Sequence, residues 1–194
     1  MGIVKSITKK PKTLIGIDCS TKSLAFSRWD HGEFVSCGEI FFDGHNVWKR
    51  LTYIHNALPG LVSSGALDAE AVVFEQAVSV GNNIDTAISL AYVYGAVIGA
   101  LGSNNIKVAK VYPITWQAYI GNPLLNKTER EQIKTDNPGM SKSWYLTKGR
   151  EIRKQRTLDW ARQYAKIESG SDNVGDAVGI GYYGMKHAHE LEFE

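Results

Sequence analysis

The chain has 194 residues, 43% of them hydrophobic and 22% charged, with a formal net charge of +2. Such a composition is that of an ordinary folded protein with room for one domain and a sizeable core, and it excludes a low-hydrophobicity disordered chain. No segment reads as the roughly 20-residue apolar span that a bilayer requires, and the basic start MGIVKSITKKPK lacks the apolar centre of a signal peptide. A cytoplasmic protein is expected, with a flexible basic arm at 1–12, one domain at 13–187 and an acidic tail at 188–194. The two cysteines, Cys19 and Cys37, fit reduced, buried thiols and supply no four-ligand zinc spacing.

The first element predicted is a buried strand over Leu14-Ile15-Gly16-Ile17. It ends on Asp18, a carboxylate that is costly to desolvate without a partner. Small residues follow, and segments 23–30 and 33–42, joined by Asp30-His31-Gly32, read as a hairpin. Helical spacing of Val47, Leu51, Ile54, Leu58 and Leu61 predicts a helix over 45–64 that Pro59 interrupts. Ala71-Val72-Val73-Phe74 is a second buried strand, again ending on a carboxylate, Glu75.

The loop from Gln76 to Asn83 leads into an apolar, Ala- and Gly-rich helix over 84–101, suited to burial or to a subunit interface. A strand at 106–111 and a short helix opened by Pro113 come next. Residues 121–148 show no period and are expected to form a long, partly mobile loop. A basic helix is predicted over 148–167 and a glycine-rich helix over 172–185. His187 and His189 have no further ligand nearby in sequence and read as a polar tail.

Asp18, Glu75, Asp172 and Asp176 carry the chemistry in this pattern. The strands place Asp18 and Glu75 at one sheet edge, and the four-residue spacing of Asp172 and Asp176 puts them on one helix face near its N-terminus. Crowded carboxylates are stable when they bind hard cations. Two ions roughly 4 Å apart would align water with a phosphodiester. Taken singly, each acid also has a plain reading as a turn cap, strand-end acid or helix cap. Arg150, Arg153, Lys154 and Arg156 form a one-sign cluster suited to phosphates, or a solvated helix face.

The segments IGIDCSTKSLAFS, AVVFEQA, VYPITWQ and DNVGDAVGIG resemble the RuvC-like Holliday junction resolvases of the ribonuclease H-like superfamily, in a phage-type form, over about residues 13–187. The resemblance implies an α/β ribonuclease H-like fold: a five-stranded mixed sheet in order 3-2-1-4-5, flanked by helices. It also implies a homodimer in the host cytoplasm that cuts branched DNA symmetrically using Mg2+ or Mn2+. Carried over by position, Asp18, Glu75 and Asp176 are catalytic metal ligands and Asp172 is the fourth. Family members often space the last pair by three, where this chain has Asn173. Lys154 best matches the family's catalytic basic residue; Lys148, Arg150, Arg153 and Arg156 compete for that role and join it as DNA-binding residues. Asn82 and Asn83 belong to a DNA-facing loop in this reading, or to a connector with a helix cap. Two rivals stand beside it. GIDCSTKS also resembles the first phosphate loop of actin-like sugar kinases and ATPases, which need a second such domain, and a non-catalytic branched-DNA binder would use the same surface.

Overall fold

The strand Thr13–Cys19 (β1) is the centre of the sheet. In this computed structural model, which describes residues 10–76, 84–102, 104–168 and 170–193, β1 pairs antiparallel with Ser23–Asp30 (β2), which pairs antiparallel with Glu33–Phe41 (β3). On its other side β1 runs parallel to Ala71–Glu75 (β4), and β4 parallel to Lys107–Val111 (β5). The order is β3-β2-β1-β4-β5, as expected. A strand covered on both faces needs no polar alternation, which is why β1 and β4 read as near-continuous apolar runs.

The two faces carry different layers. Ile15, Ile17, Val72 and Phe74 face the helices Val47–Ser63 (α1) and Ile84–Gly102 (α2), through Ile54, Leu58, Val93, Val97 and Leu101. Leu14, Val73 and Ala71 face the opposite layer. That layer comprises Pro113–Tyr119 (α3), Lys142–Ala165 (α5) and Asp172–His187 (α6), with Lys127–Asp136 (α4) packed on α5.

Four expectations are corrected. Helix α1 does not break at Pro59: it runs on to Ser63, because Ile54, Leu58 and Val62 are buried on one stripe and that burial outweighs one lost backbone bond. The segment 121–148 is not a loop. It contains α4, opened by a reciprocal capping box between Asn126 and Glu129, and the start of α5, whose N-cap Ser141 accepts from the Trp144 amide. Asn-x-x-Glu was the signal for α4 in the sequence. The basic helix therefore begins six residues earlier than expected, at Lys142. Helix α2, finally, is 19 residues long and, by length and composition alone, apolar enough to cross a membrane. One face packs on the core while Ile84, Ile88, Tyr92 and Ile98 are exposed.

Past α6, Ala188 and Phe193 are buried, with Phe193 in the α6-side core. His187 stacks on Tyr183 at 4.6 Å.

The glycines of α6 let it lie on the sheet. A Cβ on Gly16 of β1 would run into the backbone of Gly181 and Ala177, and one on Gly181 into the side chains of Trp29 and Ser27. At this closest approach Ser27 Oγ donates to the Ala177 carbonyl at 2.6 Å, and Trp29 Nε1 donates to Ser27 Oγ at 2.9 Å.

Candidate active site

Gly16 pairs with Val73 and Ile17 with Phe74, so one step on, at the C-terminal edge, Asp18 and Glu75 emerge side by side. Both lie on the face that carries α6. Just beyond Asp18 the chain reverses in a turn held by Ser20, which accepts from the Ser23 amide at 2.9 Å. Helix α6 starts at the same edge, with Ser171 as its N-cap, and delivers Asp176 between the two strands' acids. Asp18, Glu75 and Asp176 therefore come together.

Their electrostatics agree. Burial, then the charge of Glu75, pushes the Asp18 carboxyl up to about 7, although Lys154 opposes the shift. Burial also raises Glu75; a hydrogen bond from Trp116 and the charges of Lys154 and Arg153 hold it back. Asp176 is raised well above the usual carboxylate range by burial and by Asp18 and Glu75. It is 8% exposed, and its Oδ1 is buried without a hydrogen-bond partner. A buried carboxylate oxygen left unsatisfied is one that an ordered water or a bound cation can complete.

Asp172 behaves differently. It sits at the exposed start of α6 and forms an ion pair with Lys154 of α5. That hydrogen bond holds its pKa below the ordinary value. Burial lowers the Lys154 pKa, but the Asp172 bond and the charges of Asp172, Asp176 and Asp18 raise it further. Lys154 is thus the ammonium at the cluster. Asn173, the other candidate for the fourth ligand, points elsewhere: its Nδ2 donates to Glu39 Oε1 at 2.9 Å.

The remaining basic residues do not act as one patch. Arg153 is half-buried: its guanidinium donates to the Gln117 side chain of α3 and faces Asp176 and Glu75. Its guanidinium is thus engaged within the protein, beside the acids. Arg156 pairs with Glu129 of α4 at 2.7 Å, and Lys148 with Glu151 at 3.1 Å. Arg150 is exposed and shares a helix face with Lys154, four residues on. Asn82 and Asn83 lie outside the described residues.

Sequence reasoning missed Glu39 and Trp116. Glu39 lies level with Asp18 across the sheet, through Ala25. It accepts from Ser171 Oγ at 2.6 Å and from Asn173, tying β3 to the first turn of α6. Burial raises its pKa, but bonds from Ser171, Asn173 and Ser23 outweigh this and hold it low. Trp116 Nε1 donates to Glu75 Oε2 at 2.9 Å.

Among the described residues, no three His, Cys, Asp or Glu side chains are gathered closely enough to hold a metal ion as they stand. The donor set nevertheless fits a hard cation: it is all oxygen, it is acidic, and it contains the unsatisfied Asp176 oxygen. Adjacent strands lie about 4.8 Å apart, which puts the Asp18 and Glu75 carboxylates within reach of one shared ion.

No protein-family model matches the sequence, and no curated protein does. Solved structures match the fold. Thermus thermophilus RuvC, in complex with a Holliday junction substrate, superposes with a TM-score of 0.66 at 13% identity, over 94% of this chain and 99% of that one. The fowlpox virus resolvase, in complex with substrate Holliday junction DNA, gives 0.51 at 11% identity over 91% and 98%. The yeast mitochondrial Holliday junction resolvase gives 0.53 at 9% identity over 91% and 79%. With strand order, mixed pairing and flanking helices in agreement along nearly the whole chain, the protein has the ribonuclease H-like fold of the RuvC-like Holliday junction resolvases.

Proposed function

We propose that this chain is a divalent-cation-dependent nuclease that hydrolyses phosphodiester bonds in branched DNA, four-way junctions first among them. One observation carries the reading: three carboxylates from β1, β4 and α6, that of Asp176 buried and those of Asp18 and Glu75 half-buried, converge at one sheet edge, each with a raised pKa, and one keeps an unsatisfied oxygen. The solved relatives' junction complexes lend it support.

Asp18, Glu75 and Asp176 would hold Mg2+ or Mn2+, with Asp172 available once it leaves Lys154. The bound cation would supply an activated water and stabilise the leaving oxygen. Lys154 places a positive charge where charge builds up on the phosphate in the transition state. Arg153 offsets the charge of Glu75 and Asp176 from behind. Arg150, on the Lys154 side of α5, holds a flanking phosphate.

Cutting two strands of a junction calls for two such sites, and α2 offers the surface for a homodimer. Ala87, Ala91, Gly95 and Gly99 form an exposed stripe of small residues beside Ile84, which is 70% exposed. Trp48 of α1, 63% exposed, packs its ring 5.5 Å from Tyr92. A cytoplasmic site of action completes the reading.

The test is incubation of the protein with labelled four-way junctions, flaps and duplex in Mg2+ and in Mn2+. Parental protein should cut the junction, and Asp18→Asn should bind it and leave it intact. Near-normal turnover by Asp18→Asn would remove the catalytic assignment. Junction binding without cleavage by the parent would favour a non-catalytic binder, and ATP hydrolysis without cleavage a kinase-like phosphate loop.

A further inference from the structure

We infer that Trp116 is a positioning residue for the acidic cluster, fixing Glu75 through its indole N–H while its ring sets how closely α6, and with it Asp176, approaches. The inference rests on the nuclease reading above and deepens it.

Trp116 is 0% exposed, in the middle of the seven-residue helix α3. A buried indole could be only a large piece of core. Its one polar atom, a donor without acceptor capacity, is directed at Glu75 Oε2 at 2.9 Å. That bond occupies one oxygen of the carboxylate and fixes the rotamer that presents the other.

The far edge of the same ring meets α6. A Cβ built on Gly179 would lie 2.5 and 2.8 Å from two carbons of the Trp116 six-membered ring. Gly179 is one turn past Asp176 on α6 and therefore its neighbour along the helix surface. The absence of a side chain there lets the ring and helix come into contact. The indole thus gauges the separation between the strand that carries Glu75 and the helix that carries Asp176.

The next residue extends the link. Gln117 accepts from the guanidinium of Arg153, the countercharge behind both acids. Helix α3 therefore braces β4, α6 and α5 around one point, although it contributes no acid itself.

The test compares Trp116→Phe, Gly179→Ala, Glu75→Gln and the double variant Trp116→Phe with Glu75→Gln, measuring Mn2+ binding by calorimetry, junction affinity, single-turnover cleavage and melting temperature. Phe keeps most of the ring volume and removes the donor. Hydrogen bonds to charged groups make Trp116→Phe expected to weaken Mn2+ binding on the order of tenfold, with cleavage falling alongside and junction affinity unchanged. In the Glu75→Gln background the Phe substitution should weaken Mn2+ binding no further, because its effect runs through that carboxylate. Gly179→Ala, which overpacks the ring, should weaken Mn2+ binding with the N–H still present. Parental Mn2+ affinity in Trp116→Phe, or equal weakening with and without Glu75, would overturn the inference while leaving the nuclease reading intact. Parental protein that neither binds Mn2+ nor cuts junctions would overturn both.

Discussion

Lys154 of α5 is bonded to Asp172 of α6, and the pair stands at the mouth of the acidic cluster, with the Lys154 charge also felt by Asp18, Glu75 and Asp176. This ammonium offsets part of the charge that the carboxylates place on one another. In the proposed nuclease, a cation would take Asp172 as a ligand only by competing with Lys154.

Lys154 and its neighbour Arg153 should separate in kinetics. Lys154→Ala is expected to lower the single-turnover rate at saturating enzyme on the order of a hundredfold, as loss of a transition-state charge partner does, with modest loss of junction affinity. Arg153→Ala should lower melting temperature and leave the salt dependence of junction binding unchanged, because its guanidinium faces Gln117 and the acids. Arg150→Ala should instead reduce the salt slope by about one counterion. A salt series of binding and saturated rates for the three variants checks all of this. A parental saturated rate in Lys154→Ala would make it a plain phosphate contact.

Glu39 should matter although it bears no family signature. Its carboxylate joins β3 to the N-cap Ser171 and to Asn173. Glu39→Ala is expected to cost about 1 kcal/mol of stability and to slow cleavage by loosening the turn that carries Asp172. Glu39→Gln, which keeps one acceptor, should fall between. Thermal melts and single-turnover rates on the two variants check the order, and an undiminished rate in Glu39→Ala would contradict it.

Without metal, stability should fall as pH rises. Asp18 titrates near 7 when folded against an ordinary 3.8, so between those values the folded state holds a proton that the unfolded chain has released. Stability then declines with rising pH across that window and levels off above it. Glu75 and Asp176 are shifted in the same direction. Asp172 and Glu39 are held low, below ordinary values of 3.8 and 4.5, so they act the other way at the acid end of the window and below it. Melting in EDTA should be higher near about pH 5 than near about pH 8, Asp18→Asn should shrink the difference, and saturating Mn2+ should reverse it. A metal-free protein most stable at the alkaline end would refute the cluster electrostatics.

The α2 surface should hold a second copy of the chain. Sedimentation of the parent is expected to give a dimer at micromolar concentration. Ala91→Arg, in the exposed small-residue stripe, should give a monomer with its fold retained by circular dichroism. A parent that stays monomeric would remove the dimer.

Much of the frame was legible because it is local. The runs ending on Asp18 and Glu75 announce themselves as buried strands, since strands covered on both faces carry no polar alternation. Asp-x-x-x-Asp at 172 and 176 opens a helix whose N-terminus tolerates acids. Helix α4 was equally local, in the Asn126 and Glu129 pair, and was obscured only by the polar sequence around it.

What the acids touch was not local. Glu39 shares a face with Asp18 only because the β2–β3 register shifts between Arg28 and Trp29. Without that bulge its side chain would turn to the other side of the sheet. Arg153 and Lys154 are adjacent in a stretch rich in basic residues, yet one bonds Gln117 of α3 and the other Asp172 of α6, as the packing of α5 against α3 and α6 dictates. The sequence alone determined the strands, the helices and which acids end them, because backbone pattern and capping act over a few residues. Only the tertiary structure decided that Trp116 would bind Glu75, since that contact depends on how α3 packs between β4 and α6, and close approach between distant elements leaves no periodic trace in the chain.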